Sequence, residues 1–268
     1  MIYKSRIELL KIKPIRNLLL GNLITVSGGA MTYIALTWYV LQLNNSLTSI
    51  IILAVCFWTP SVFLAPIAGY IVDRFNRKKT YVLCNLIRAL AVFIVALAII
   101  MFAKNNTEKL YLCYALNLVT GIIFSFIMPA ATALTREIVE DKDLLNTNSM
   151  IDMSFEIGNV AGMGFTTMFL ITVGAVHCLF ITSVVIILGA VFLALVKVTD
   201  EHHTGKTDNS ALKEIAIGVK FLINNKYLLF LNLAGIALMV QFMITPVLLA
   251  PFVRNILHSQ ARQFSAIE

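Results

Sequence analysis

Between Asn17 and Val253 the sequence repeats one pattern: a long, mostly apolar run, then a short polar or charged stretch. Crossing a bilayer core takes about 20 apolar helical residues. In hydrocarbon every backbone N–H and C=O must be bonded inside the protein, so runs of this length are expected to be helices. They fall at about 17–43, 48–72, 80–103, 110–135, 148–173, 176–196 and 227–253. The expected fold class is therefore an all-α integral membrane helix bundle. Composition agrees, since 59% of the 268 residues are hydrophobic and 13% are charged, against about 25% charged in soluble domains.

The net charge of +7 reads as a topology signal, not as a nucleic-acid footprint. Lys4, Arg6, Lys11, Lys13 and Arg16 precede the first span, and Arg74, Arg77, Lys78 and Lys79 sit in one loop. Arg136 and Lys142 follow the fourth span, and five lysines lie in 197–226. The opposite side has Lys104, Lys109, Arg254 and Arg262. Cytoplasmic loops retain such an excess, so the N-terminus is expected in the cytoplasm of a multi-pass plasma-membrane protein. Residues 1–16 form a basic, amphipathic leader that Pro14 is expected to break, and 197–226 a cytoplasmic linker. Residues 17–196 form a six-span half. Residues 227–268 hold one span of a second half, after which the chain is expected to be cut short.

No enzyme is expected: the chain has no G-x-S-x-G, H-E-x-x-H or phosphate-binding glycine loop. No cofactor or metal is expected either. Cys56, Cys84, Cys113 and Cys178 lie inside apolar runs without C-x-x-C spacing and read as small apolar fillers. His202 and His203 have no further ligands at metal spacing.

The loop after the second span reads Gly69-Tyr70-Ile71-Val72-Asp73-Arg74-Phe75-Asn76-Arg77-Lys78-Lys79. It resembles the loop between the second and third helices of the major facilitator superfamily, G-x-x-x-D-R-x-x-R-[KR]-[KR]. Leu20–Ala30 with Ile34–Tyr39, Trp58-Thr59-Pro60, Pro66-Ile67-Ala68-Gly69 and Met128-Pro129-Ala130 are similar to its macrolide-efflux and enterobactin-exporter branch. So is Leu144–Ser149, with Thr147 where the branch has Ala. The resemblance implies two six-helix halves, each of two inverted three-helix repeats, with a substrate site between the halves. It also implies that Gly69, Asp73, Arg74, Arg77 and Lys78 act as a conformational latch with Asp73 as pivot. The competing reading is that these cations only anchor topology on anionic headgroups, at about 1 kcal/mol each.

Asp152 and Glu156 stand four residues apart in the fifth span and share a helix face. Carboxylates at such depth are costly and are candidates for proton coupling. Near the cytoplasmic end they are alternatively wet or paired with loop cations. Arg88, inside the third span, is the third candidate for proton coupling, where it would balance a carboxylate; alternatively it snorkels to the surface. Gly158 and Gly162 allow close helix packing. Gly158–Gly164 resembles an antiporter motif, G-P-x-x-G-G, but has Asn159 and Met163 at two of its positions. Asn117 stands where some drug–proton antiporters carry Arg in R-x-x-x-G, with Gly121 kept.

Asn22, Gln42, Asn117, Asn232 and Gln241 are the candidates for lining a substrate cavity, since an amide in hydrocarbon seeks a partner. Trp38, Trp58, Phe124, Phe126 and Met239 either line it or fill space. The function expected is proton-driven export of small amphipathic molecules such as drugs, macrolides or siderophores, by alternating access. Expected partners are the substrate, protons, the bilayer and a C-terminal half, with no nucleic acid. The alternative is a non-transporting remnant, or a half-transporter needing a partner.

Overall fold

The structure, a computed structural model, describes residues 6–198 and 220–237. Helix α1 (Arg6–Lys11) leads into α2 (Lys13–Asn44), α3 (Leu47–Arg74), α4 (Arg77–Met101) and α5 (Asn106–Ile138). A 3-10 turn at Asp141–Asp143 precedes α6 (Leu144–Thr172) and α7 (Ala175–Ala194). A further helix covers Lys226–Ala237. There is no strand among the described residues. Residues 1–5, 199–219 and 238–268 lie outside them, and with them most of the expected linker, the rest of the seventh span, Met239 and Gln241.

Helices α2–α7 match the first six expected spans, with ends shifted by a few residues. The leader breaks at Ile12, which is extended at φ −77° and ψ 112°, and not at Pro14. Pro14 lies in the first turn of α2, where its missing N–H has no helical partner to lose. Five described helices are long and apolar enough to cross a membrane: α2, α3, α4, α5 and α7. Helix α6 has the length, 29 residues, but Asp152, Glu156 and Asn159 make it more polar.

The links between long helices are short, two residues at Asn45–Ser46, Phe75–Asn76 and Val173–Gly174. Chain neighbours therefore run antiparallel. Gly174 turns with φ +82° and ψ 167°, a region open essentially to glycine alone. Helix α2 packs on α6 and α7, α5 packs on α3 and α4, and α4 packs on α7. Exchanging α2–α3–α4 with α5–α6–α7 maps this pairing onto itself. The first helices of the two sets run in opposite directions, so the sets are inverted repeats.

The sequence carries the same repeat. Asn22-Leu23-Ile24-Thr25 in α2 recurs 95 residues on as Asn117-Leu118-Val119-Thr120 in α5. Asn117 Nδ2 donates to the Leu53 carbonyl of α3 at 2.8 Å, and Asn22 Nδ2 to the Ile151 carbonyl of α6 at 3.5 Å. Thr25 and Thr120 each donate to the carbonyl four residues back, Gly21 and Leu116, at 2.9 Å. Leu53 and Ile151 are 98 residues apart, as are Arg77 and Ala175, which open α4 and α7.

Lipid tails are as apolar as leucine, so helix contacts here rest on close backbone approach and on hydrogen bonds. A Cβ at Gly158 would meet the Leu23 carbonyl oxygen at 2.7 Å. One at Gly162 would collide with the Ser27 carbonyl oxygen, and one at Gly121 with that of Phe57. The α2–α6 and α3–α5 contacts thus each need glycine. Helix α2 is the axis of the bundle, with Ile34, Ala35, Leu36, Val40 and Leu41 fully buried. Leu83, Leu86, Leu90, Phe93 and Leu97 of α4 point outward.

Candidate functional site

The charged loop is a helix end, a two-residue link and a helix start. Phe75 ends α3 in extended conformation, and Asn76 caps α4 by accepting the Lys79 N–H on Oδ1 at 2.9 Å. The cap turns the chain so that Arg77 points across to α5. Its Nη1 donates to Glu137 Oε1 at 3.0 Å, while Nη2 lies 3.8 Å from Asp73 Oδ1. The Glu137 side chain is 10% exposed and that of Asp73 70%. The tie between helices is therefore Arg77–Glu137, with Asp73 at its rim. Arg74 lies over the Tyr70 ring, 4.3 Å from the centroid. Lys78 is half-buried in the first turn of α4. A Cβ on Gly69 would meet nothing within 4 Å. In the loop after α5, Lys142 Nζ lies 2.6 Å from Glu140 Oε2. That hydrogen bond and charge raise the lysine's pKa.

A polar network lies deeper, between α2, α4 and α6. Tyr81 donates its hydroxyl to Asn22 Oδ1 at 2.8 Å, and Asn22 Nδ2 donates to Ser154 Oγ at 2.9 Å. Two turns further along α4, Arg88 Nη2 donates to the Thr25 carbonyl at 2.7 Å and to Asn85 Oδ1 at 3.1 Å. Arg88 is 9% exposed, and it forms no salt bridge among the described residues. Asp152 and Glu156 are both exposed. Helix α6 turns Thr147, Met150, Ser154, Gly158, Gly162 and Thr166 inward. At about 100° per residue, Asn148, Asp152, Glu156 and Asn159 fall along one stripe on another side. That stripe interrupts the apolar run of α6, which is not among the five described helices apolar enough to cross a membrane.

The amide candidates separate into two groups. Asn22 and Asn117 are buried in helix contacts and bonded there. Gln42 is exposed near the end of α2. Asn232 is exposed, and its Nδ2 donates to the Leu228 carbonyl at 2.7 Å. Phe57, Trp58 and Phe124 cluster between α3 and α5, with centroids 5.0 to 6.3 Å apart. The sequence reading missed Glu137, Asn76, Tyr81 and Ser154. The recurring Asn-Leu-Ile/Val-Thr was the available signal for Asn22 and Asn117 as paired interhelical donors.

Residues 18–267 match the family model described as the Major Facilitator Superfamily. The chain belongs to the Major Facilitator Superfamily. It is 24% identical over 176 residues to the multidrug efflux pump Tap of Mycolicibacterium fortuitum, covering 63% of this chain and 42% of that one. It is 23% identical over 219 residues to the uncharacterized MFS-type transporter YkuC of Bacillus subtilis (strain 168), covering 81% and 49%. The chain thus spans about half the length of the curated relatives it matches. The fold is similar to a bacterial homologue of the human lysosomal transporter Spinster, crystallised inward-facing and unoccupied. There the TM-score is 0.68 at 16% identity, covering 95% of this chain and 58% of that one.

As a member of this superfamily the chain is a multi-pass membrane protein of a transporter family, not of an enzyme family. The superfamily-like charged loop lies between the second and third long helices, α3 and α4. The inverted repeat also separates what the fold demands from what it does not. Where α6 carries Asp152 and Glu156, α3 carries Ala54 and Trp58 at the equivalent positions. Where α4 carries Arg88, α7 carries Ile186. The bundle builds both repeats around the same contacts, so these three charges are not requirements of packing.

Proposed function

We propose that the chain belongs to a secondary active exporter of small amphipathic molecules, driven by the proton gradient across the plasma membrane. In this reading residues 17–196 form the first helix bundle and residues 197–226 a cytoplasmic linker. Residues 227–268 begin a second bundle or meet one supplied by a partner. The N-terminus lies in the cytoplasm, and the two bundles alternate access to a site between them. Similarity to an efflux pump supports export. Drugs such as macrolides, or siderophores, are the substrates considered.

The observation that carries the proton-coupling reading is the exposed Asp152–Glu156 stripe on α6, turned away from the α2 contact. Exposed carboxylates on a spanning helix belong against water or a second bundle, because lipid excludes them. There a carboxylate can take and release a proton as access alternates. Asp73, Arg74, Arg77 and Lys78 act as the latch in this mechanism. Arg77–Glu137 holds the α4 and α5 ends together, and exposed Asp73 and open Gly69 are left to meet what moves. Replacing Glu156 by Gln tests the coupling. Export of ethidium is expected to lose its dependence on the proton gradient, and wild-type dependence would remove Glu156 from the mechanism.

A further inference from the structure

Arg88 sits about 14 Å along α4 from Lys79, at 1.5 Å per residue, inside the membrane-spanning bundle. A guanidinium has five N–H donors. Two are used, by the Thr25 carbonyl and Asn85 Oδ1, both through Nη2. Nε is buried and has no acceptor among the described residues. Nη1 makes no hydrogen bond there either, and it lies beside Gly29, where a Cβ would stand 3.3 Å from it. Gly29 is itself partly exposed. Two amide-type oxygens do not neutralise a cation, and a buried charge without a counter-charge is costly. Away from their end turns, the long helices among the described residues offer carboxylates only at Asp152 and Glu156, on the side of α6 away from α2. Asp73, Glu108 and Glu137 lie in the end turns of α3 and α5. The equivalent place in the second repeat holds Ile186, so the fold does not require a cation at this level.

We infer that Arg88 is a binding site for the carboxylate of an amphipathic substrate, held in place by Thr25 and Asn85 and offering Nη1 across Gly29. The sequence supplies a fixed, desolvated positive charge, and the missing partner is the anionic end of the molecule that enters. A substrate with an apolar body and one carboxylate is favoured over its neutral counterpart, because only the anion pairs with the guanidinium's unused donors. Gly29 leaves the approach open, and Asn85 and Thr25 keep the guanidinium from snorkelling away.

This site rests on the export reading for its purpose, and its test reads binding without transport. The protein is purified into phosphatidylcholine nanodiscs, and energy transfer from Trp38 and Trp58 to dansyl-aminoundecanoic acid or its methyl ester gives both affinities. The wild-type chain is expected to bind the acid about ten-fold tighter than the ester, as a charge-assisted pair allows. Arg88→Gln is expected to bring the ratio to about one without changing the ester's affinity, and Arg88→Lys to restore part of it. Gly29→Ala, which keeps the cation and crowds Nη1, is expected to weaken the acid alone. Equal wild-type affinities, or a preference that survives Arg88→Gln, overturn the proposal. If Arg88→Gln does not elute as a monodisperse protein, Gly29→Ala decides: an undiminished preference overturns the site. Acid preference in a protein that exports nothing leaves the site standing and removes the export reading. Export of ethidium without acid preference does the reverse.

Discussion

Arg77 Nη1 lies 3.0 Å from Glu137 Oε1, so the first residue of α4 is tied to the last turn of α5. The pair closes the α3–α4 loop of the first repeat onto the opening helix of the second. It is half-shielded from solvent, which places it between a surface pair and a buried one. Glu137→Gln is expected to destabilise the bundle by about 1 kcal/mol, within the range between such pairs. Arg77→Gln should do the same, and the double variant should cost little more than either single one. Thermal unfolding of the four proteins in detergent completes the cycle, and additive losses would show that the two side chains do not interact.

Asp73 contributes little to that tie, at 3.8 Å from Arg77 and with a largely exposed side chain. Its replacement by Asn should leave thermal stability and membrane insertion as they are and abolish transport. Unchanged transport would show that Asp73 is a topology marker and not a latch.

Gly162 and Gly164 are two residues apart on α6 and face different surroundings. A Cβ at Gly162 runs into the Ser27 carbonyl and the Ala30 side chain, while at Gly164 it meets nothing within 4 Å. Gly162→Ala should therefore cost about 1–3 kcal/mol by overpacking. Gly164→Ala should be neutral or stabilise by up to about 1 kcal/mol through helix propensity. Denaturant unfolding in mixed micelles reads both, and equal effects would contradict the α2–α6 contact.

Asn22 stands between Tyr81 and Ser154 and bonds to both. Tyr81→Phe removes one interhelical hydrogen bond, worth about 0.6 kcal/mol on average in membrane proteins. Asn22→Leu should cost more, about 1–3 kcal/mol, because it leaves a buried tyrosine hydroxyl unpaired. In the Asn22→Leu background, Tyr81→Phe should become neutral or favourable. A full cost in both backgrounds would place the hydroxyl's partner elsewhere.

The spans were legible in the sequence because lipid imposes one simple demand, a long apolar helix, which α2–α5 and α7 follow and α6 meets in length. Their ends were not, because residues such as Arg77 and Leu144 are helical while lying in polar stretches. The cap at Asn76 and the partner at Glu137 escaped notice since each depends on which helix ends meet in space. Arg88 was visible as a cation in an apolar run, but its partners are a backbone carbonyl and an amide, which no charge pattern announces. Asn22 and Asn117 stand out as amides in apolar runs, and both are donors in helix contacts. Only the repeat relating them could have said so.

Transport itself is tested most directly with inverted membrane vesicles from cells producing the protein, loaded by an imposed proton gradient in the presence of ethidium. The expected result is uptake above that of vesicles without the protein, collapsed by a protonophore, absent in Asp73→Asn and insensitive to the size of the gradient in Glu156→Gln. Uptake no greater than in vesicles lacking the protein would contradict export by this chain and favour a bundle that needs a partner half or carries no transport of its own.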